Sequence, residues 1–356
     1  MPRLPPWLLQ QAKQRSRNLA ALVPACRDIQ SAKNELRWLT EYARETTTHS
    51  GSKAQRLRLL CQRRRRGVPL QYILGSQPFG PLDIKCRSGV LIPRPETEAY
   101  TYHLVDLIKT GELLGSKSSN DNAELSIVDL CTGTGCIPLL LYTLLQPSFR
   151  RLRVRGVDIS PQAVGLAKLN VRHNSKLGNI AASQPGQKLD ILRGDIFKDQ
   201  DIALVAQTPC DILVSNPPYV SQRAWDFGQE GLGYSVRKYE PRLALVPNHD
   251  LPVPAGWLHE DVFYSRLLDI VMLLKPSVAL LELGEESQAR RILGRLFQHR
   301  VAEFVMAEVW RDWPDLTATD GEAAELVVEL NDMSRRVPVR GRGQIRSILL
   351  RLQWDI

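Results

Sequence analysis

Apolar residues recur at helical spacing in the first part of the chain. Leu36, Leu39 and Tyr42 lie three apart, as do Leu57 and Leu60, with charged residues between them. Such spacing gathers one apolar stripe on each helix and predicts helices from Leu8 to about Arg66. A Thr-, Ser- and Gly-containing stretch, Thr46–Ser52, divides them. From Gly67 to Arg94 the text changes to Gly, Pro and short apolar runs, read here as two short strands around a Pro-Gly turn. After a helix near Glu96–Thr110 and a polar loop, GSKSSNDN, strands and helices alternate. The expected strands are Ile127–Cys131, Val154–Asp158, Leu189–Arg193, Ile212–Ser215 and Val278–Leu283. Expected helices start near Cys136 and cover Pro161–Asn174, Val262–Leu274 and Gln288–Gln298. Two last apolar segments, Glu303–Trp310 and Gln344–Gln353, have no helix between them and are expected to pair antiparallel.

Alternation of this kind predicts an α/β fold with a largely parallel sheet covered on both faces. The expected organisation is a helical domain over residues 1–66, a β-hairpin linker over 67–94 and an α/β domain over 95–356. Residues 179–187 and 312–343 read as loop insertions, and no internal repeat is visible.

Composition changes this picture in a few places only. Apolar residues make up 43% and charged residues 24% of 356 positions, as in ordinary globular chains. No apolar run approaches the ~20 residues that cross a bilayer. Cys26, Cys61, Cys86, Cys131, Cys136 and Cys210 are scattered, with no C-x-x-C pair and no His at ligand spacing. They read as free thiols in a reducing compartment, with no metal site expected. Charge is uneven: residues 1–90 hold 17 Lys/Arg against 5 Asp/Glu, whereas the rest hold 30 against 33. A basic start of this kind suits RNA, a ribosome or an acidic protein surface; the alternative is a solvated helix face, which explains Arg63–Arg66 at least as well. The first 27 residues carry Arg3, Lys13, Arg15, Arg17 and Arg27 and no acid. That fits either a mitochondrial transit peptide or the first helix of a basic domain.

Candidate chemistry sits at strand ends. The segment Asp129–Cys136, DLCTGTGC, is a glycine turn between strand and helix, where a ligand can approach the backbone. The third glycine of a dinucleotide loop is replaced by Pro138, and no Lys-Ser/Thr follows to hold a triphosphate. The second strand ends in Asp158, placed to accept from ribose hydroxyls, and Ser160 would cap a helix begun by Pro161. The third runs into Asp195, where an adenine amino group can donate. Three strand ends with matching polar groups favour an adenosine ligand without pyrophosphate, namely S-adenosylmethionine. The fourth strand ends abruptly in Asn216-Pro217-Pro218-Tyr219, two prolines that stop the ladder between an amide and an aromatic ring.

An Asn-Pro-Pro-Tyr turn after such a glycine loop resembles the class I methyltransferases acting on nitrogen conjugated to a π system. The segments "GVPLQYILGSQPF", "LIPRPETE", "DLCTGTGCI" and "YEPRLAL" narrow the resemblance to the protein-(glutamine-N5) methyltransferases of peptide chain release factors. It covers roughly residues 30–300 and the last strand, and its mitochondrial branch suits the basic start. The resemblance implies a Rossmann-like sheet, mostly parallel with an antiparallel last strand. It also implies S-adenosylmethionine held by Thr132, Gly133, Thr134, Gly135, Cys136, Asp158, Asp195, Ile196 and Asn216. The implied substrate is the Gly-Gly-Gln loop of a class I release factor. Asn216, Pro217, Pro218 and Tyr219 would bind it; Asn216 Oδ1 and the Pro217 carbonyl would accept from the amide N–H groups, and Tyr219 would pack on the amide. Two positions depart from the family pattern: Cys131 stands where glycine is usual, and Ile196 where many members carry an aromatic ring. Arg94 within Ile92–Glu98 reads as a cofactor neighbour or as an ion-pair partner. Ribosome proximity, a monomer and a mitochondrial matrix location, otherwise cytoplasmic, complete the expectation. The competing readings are an N-methyltransferase of adenine or guanine amino groups in rRNA or DNA, and an inactive cofactor-binding scaffold.

Overall fold

The computed structural model describes residues 4–46, 52–115, 124–228, 232–330 and 333–354. The chain starts with helices α1 (Pro6–Arg15), α2 (Arg17–Cys26), α3 (Ile29–Thr46) and α4 (Lys53–Arg65). Each turns a narrow apolar face inward: Leu8 and Ala12, Leu19, Leu22 and Val23, Leu39 and Ala43, and Leu60 are buried together. Residues Leu8 to Val23 therefore contribute to a packed core. Within the Arg63–Arg66 run only Arg64 turns inward. Its Nε and Nη2 donate to Glu35 Oε2 and Oε1 at 2.7 and 2.9 Å, tying α4 to α3. Its three neighbours are exposed. The residues between α3 and α4, 47–51, lie outside the described residues, as does most of the polar loop GSKSSNDN.

A short helix, α5 (Leu70–Leu74), which the apolar pattern did not reveal, leads into β1 (Ser76–Phe79) and β2 (Leu82–Lys85). These pair antiparallel as the expected hairpin. Its place is set by two asparagines on a later helix. Asn174 Oδ1 accepts from Asp83 N–H at 2.9 Å and Asn170 Oδ1 from Lys85 N–H at 2.7 Å, while both amide nitrogens donate back to β2 carbonyls. These side chains satisfy backbone groups that an edge strand would leave to water.

The remainder alternates as expected: α6 (Pro95–Lys109), β3 (Glu124–Leu130), α7 (Cys136–Leu145), β4 (Arg151–Asp158), α8 (Pro161–Leu177) and β5 (Gln187–Arg193). Then come α9 (Asp199–Ala206), β6 (Ile212–Ser215), α10 (Gln222–Phe227), α11 (Tyr234–Tyr239), α12 (Val262–Leu274), β7 (Val278–Glu282) and α13 (Glu286–Leu296). The last strands are β8 (Val305–Trp313), β9 (Glu325–Leu330), β10 (Met333–Arg340) and β11 (Arg342–Leu352). The sheet runs β5-β4-β3-β6-β7-β11-β8-β10-β9. Its first five strands are parallel, and β11 lies antiparallel between β7 and β8. This is the class I methyltransferase sheet, Rossmann-like with an antiparallel last strand. One apolar core lies on each face of it.

One expectation is overturned. Residues 312–343 are not a loop insertion: β9 and β10 form an antiparallel ribbon that extends the sheet beyond β8. Leu326, Val328 and Val337 are buried in the core on that side. Pro338 is tolerated because β10 joins β8 only from Val339 onward, so its missing N–H takes nothing from that ladder.

Candidate functional site

The parallel register brings strand ends level. Leu130 of β3 pairs with Ser215 of β6, and Ser215 with Leu281 of β7, so the loops that follow meet at one edge of the sheet. The strand β6 is buried throughout, and Pro217 and Pro218 then end it.

A cavity of about 220 Å³ opens at that edge, lined among others by Gly133, Asp158, Asp195, Ile196 and Asn216. These five predicted positions thus come together. Thr132, Thr134, Gly135 and Cys136 do not line it; they shape the loop from behind. The Thr132 hydroxyl donates to the buried Asp129 at 2.5 Å and the Thr132 carbonyl accepts from Gly135 N–H at 2.8 Å. The Thr134 carbonyl accepts from Asn170 Nδ2 at 2.9 Å, joining the loop to the helix that carries the hairpin. Cys136 opens α7, and burial pushes its thiol up to about 12. The two glycines divide the work. A Cβ at Gly135 would sit 3.0 Å from Ala167 Cβ, whereas one at Gly133 would meet nothing within 4 Å. Gly135 therefore lets two helices close together, and Gly133 leaves backbone open to a ligand.

Asp158 is held by two backbone donors, Gly133 N–H to Oδ2 and Ser160 N–H to Oδ1, each at 2.8 Å. Each oxygen keeps a further lone pair for a diol. Burial raises its pKa, and those two N–H groups pull it back. Asp195 Oδ1 accepts from Phe197 N–H at 3.0 Å. Asp129, behind the loop, is pushed to about 8 by burial, with the Thr132 hydroxyl opposing and Asp158 adding.

Cys131 has φ 65°, a left-handed backbone that costs a side-chain-bearing residue about 1–2 kcal/mol. That accounts for glycine being usual there in the family it resembles. Burial holds its thiol well above the ordinary range, so it is no thiolate nucleophile at neutral pH. The aromatic ring missing at Ile196 is supplied next door: Phe197 and Phe263 line the cavity and meet edge to face, centroids 5.0 Å apart. Neither was predicted: Phe197 directly follows Ile196 and was within reach of the sequence, whereas only the fold brings Phe263 of α12 beside the end of β5.

The motif stands between this cavity and a second, of about 690 Å³, lined among others by Arg94, Tyr219, Ser221, Gly284, Gln288 and Arg346. Asn216 and Pro218 face the first cavity and Tyr219 the second; Pro217 lines neither. A cavity of about 770 Å³ between α13 and β9 touches none of the predicted positions. Arg94 is an ion-pair partner: its Nη2 lies 2.8 Å from Glu240 Oε1, and Glu240 Oε2 accepts from Ile92 N–H at 3.0 Å. The two quoted segments "LIPRPETE" and "YEPRLAL" thus close on each other, and Val90 and Leu243 on either side form cavity wall.

No protein-family profile matches the chain. It is 35% identical over 279 residues to the mitochondrial MRF1 N(5)-glutamine methyltransferase MTQ1 of Saccharomyces cerevisiae, covering 76% of this chain and 77% of that protein. It is 34% identical over 230 residues to the probable MRF1 mitochondrial N(5)-glutamine methyltransferase of Schizosaccharomyces pombe, covering 64% and 68%. The chain belongs to the release factor glutamine methyltransferase family. A bacterial member, the release factor glutamine methyltransferase of Pasteurella multocida, is 36% identical over 196 residues, covering 54% of this chain and 58% of that one. Among solved structures, the delta-N METTL16 MTase domain aligns with 75% of this chain and 86% of its own at 15% identity and a TM-score of 0.44, too loosely to inform the site.

The cavity fits the S-adenosylmethionine expected of a class I methyltransferase. Gly133 leaves space at the loop, Asp158 presents acceptors for a diol, and Phe197 and Phe263 supply aromatic lining. No Lys or Arg is among the described lining residues, which suits a ligand without phosphates. Among the described residues no group of His, Cys, Asp and Glu is arranged to hold a metal ion. No described helix is long and apolar enough to cross a membrane.

Proposed function

We propose that this chain methylates the side-chain nitrogen (N5) of the glutamine in the Gly-Gly-Gln motif of a class I peptide chain release factor, using S-adenosylmethionine, in mitochondria. The observation that carries the reading is the position of Asn216–Tyr219 as the wall between a cavity suited to an adenosine ligand and a second, open one. Asp158 would hold the ribose, Asp195 and Ile196 the adenine edge, and the Gly133 backbone the methionine-bearing end. Thr132, Thr134, Gly135 and Cys136 would keep that loop in shape. When bound, S-adenosylmethionine supplies an electrophilic methyl group on a sulfonium.

The chain's own residues supply orientation and charge stabilisation. A glutamine amide nitrogen is a feeble nucleophile because its lone pair is delocalised into the carbonyl. Asn216 Oδ1 and the Pro217 carbonyl would accept its two N–H groups, favouring a pyramidal nitrogen and stabilising the positive charge that grows there. The two prolines bring no N–H to compete for those acceptors. Tyr219 would pack against the amide plane from the second cavity. No general base is needed before transfer, since the methylated nitrogen sheds its proton afterwards to water.

The test is labelled-methyl transfer offered in parallel to a recombinant mitochondrial release factor, to mitochondrial rRNA and to DNA. Label is expected in the release factor without added RNA. It should vanish when the motif glutamine is replaced by asparagine, which draws the amide back by about 1.5 Å, one carbon–carbon bond. Label in a nucleic acid with the release factor blank would overturn the reading.

Mitochondrial location is supported by the printed names of the two yeast relatives and by the acid-free basic start. Deleting the start would also remove buried Leu8, Leu19, Leu22 and Val23, so charge reversal is the cleaner experiment. Lys13, Arg15 and Arg17 are exposed. Replacing all three by Glu should abolish mitochondrial accumulation of a fluorescent fusion; unchanged accumulation would locate the signal elsewhere.

A further inference from the structure

We propose that the segment Glu282–Gln288 is the element that holds the Asn-Pro-Pro-Tyr turn in its reacting geometry, with Glu282 as a positioning residue acting through Tyr219. The inference rests on the function proposed above. Glu282 is the last residue of β7, and since Ser215 pairs with Leu281 it lies beside the position where Asn216 leaves β6.

Three contacts from this one segment grip Tyr219. Its hydroxyl donates to Glu282 Oε1 at 3.2 Å. Its ring edge lies against Gly284, where an added Cβ would come 3.2 Å from Cδ2 and 3.4 Å from Cε2. Its backbone carbonyl accepts from Gln288 Nε2 at 3.2 Å. Gln288 is itself fixed: Oε1 accepts from Gly284 N–H at 2.9 Å, and Nε2 also donates to Asp261 Oδ1 at 2.8 Å. Asp261 is in turn held by Arg291 through Nε at 2.7 Å and Nη2 at 3.1 Å.

Glu282 is only 1% exposed, and among the described residues it forms no ion pair. Arg94 and Arg346 act on it only across space, and a buried carboxyl with no cation in contact is expensive, so its presence asks for a reason. Both oxygens are used by hydroxyl donors, Tyr219 at Oε1 and Thr97 at Oε2, the latter at 2.7 Å. A glutamine would offer one acceptor and turn an N–H group toward the other hydroxyl. Thr97 lies in the same "LIPRPETE" segment as Arg94, so one carboxyl ties that segment to the reacting turn. Between Tyr219 and the Pro217 carbonyl stands only Pro218, whose φ is locked by its ring. With that torsion locked, holding Tyr219 at hydroxyl, ring and carbonyl restrains the direction in which the Pro217 carbonyl points.

The experiment is a cycle of Glu282→Gln, Tyr219→Phe and the double variant in the full chain, measuring kcat, the KM for each substrate and cofactor Kd by calorimetry. Each single variant should lower kcat about tenfold, the cost of one misplaced hydrogen bond, with cofactor Kd within about twofold. The double variant should be no slower than the slower single one, because both remove the same contact. Multiplying losses, or an unchanged kcat in Glu282→Gln, would overturn the proposal. A second reading is independent of the substrate: 3-fluorotyrosine at position 219 should give a sharp fluorine resonance that broadens or splits in Glu282→Gln. An unchanged resonance would overturn the clamp. If the wild-type chain fails to label release factor while the resonance still responds, the proposed function falls and the clamp stands.

Discussion

Asn216→Ala is expected to fold as the parent does and bind the cofactor with similar affinity, yet to turn over 10²–10³-fold more slowly, roughly the loss for one positioned transition-state hydrogen-bonding group. The expectation of an intact fold comes from the side chain's surroundings. Asn216 is half-buried at the cavity wall, and no hydrogen bond among the described residues uses its amide. Truncation therefore orphans no partner, and the strand before it is held by β3 and β7 on either side. Turnover is another matter, because on the proposed mechanism the Pro217 carbonyl alone would then face two N–H groups. Single-turnover methyl transfer with saturating release factor, beside thermal denaturation, is the measurement. Near-normal turnover in a folded variant would remove Asn216 from the chemistry.

The second large effect is on binding. Asp158→Ala should weaken S-adenosylmethionine by about 10²–10⁴-fold, the loss of two hydrogen bonds to a charged acceptor at roughly 1.5–3 kcal/mol each. Part of that loss comes from the loop, since the Gly133 and Ser160 N–H groups lose their acceptor too. Asp158→Asn, which keeps shape and one acceptor, should lie between parent and alanine. The same carboxyl sets a pH dependence. Its pKa is raised by burial, so the acceptor becomes fully ionised at a higher pH than an exposed Asp would. Affinity should fall on acidification at a higher pH than an exposed Asp would dictate, and this fall should be absent in Asp158→Ala. Calorimetry across pH checks both; parent affinity in the folded alanine variant would exclude Asp158 from the site.

Local signals carried much of the architecture. Pro161 after Ser160 announced a helix start, and the Ser160 hydroxyl does accept from Ala163 N–H at 3.3 Å. Pro138 was readable as a first-turn proline and sits at the third position of α7. The absence of a helix between the last two apolar segments foretold the antiparallel pairing of β8 with β11. The ribbon was missed because Leu326-Val327-Val328 is a continuous apolar run that hides the alternating burial of β9, and because Pro338 and the glycines around it read as loop punctuation. Within the site, the acids at strand ends were legible because parallel strands must deliver their ends to one edge. Phe263 and the wall at Val90 were not, since each depends on which surfaces pack together, and Phe197 was passed over although it follows Ile196 directly. Thr132, Thr134, Gly135 and Cys136 were found as a loop, but nothing local separates a backbone that faces a ligand from one that supports it.

The ribbon β9–β10 also decides where the sheet stops. β10 pairs with β8 at Val339–Val309 and Arg340–Trp310, so it covers the middle of a nine-residue edge of the kind that recruits strands from other molecules. With it, the outermost strand is the six-residue β9, which sets Glu325 and Glu329 outward. Arg290 of α13 caps the Val327 carbonyl, and Arg335 of β10 lies over the Phe297 ring at 4.6 Å, binding the ribbon down to the helix end. A short, charged and partly capped border is a poor template for edge-to-edge growth. The added hairpin thus shortens the open edge of β8 and ends the sheet on a border less suited to strand addition than β8 itself.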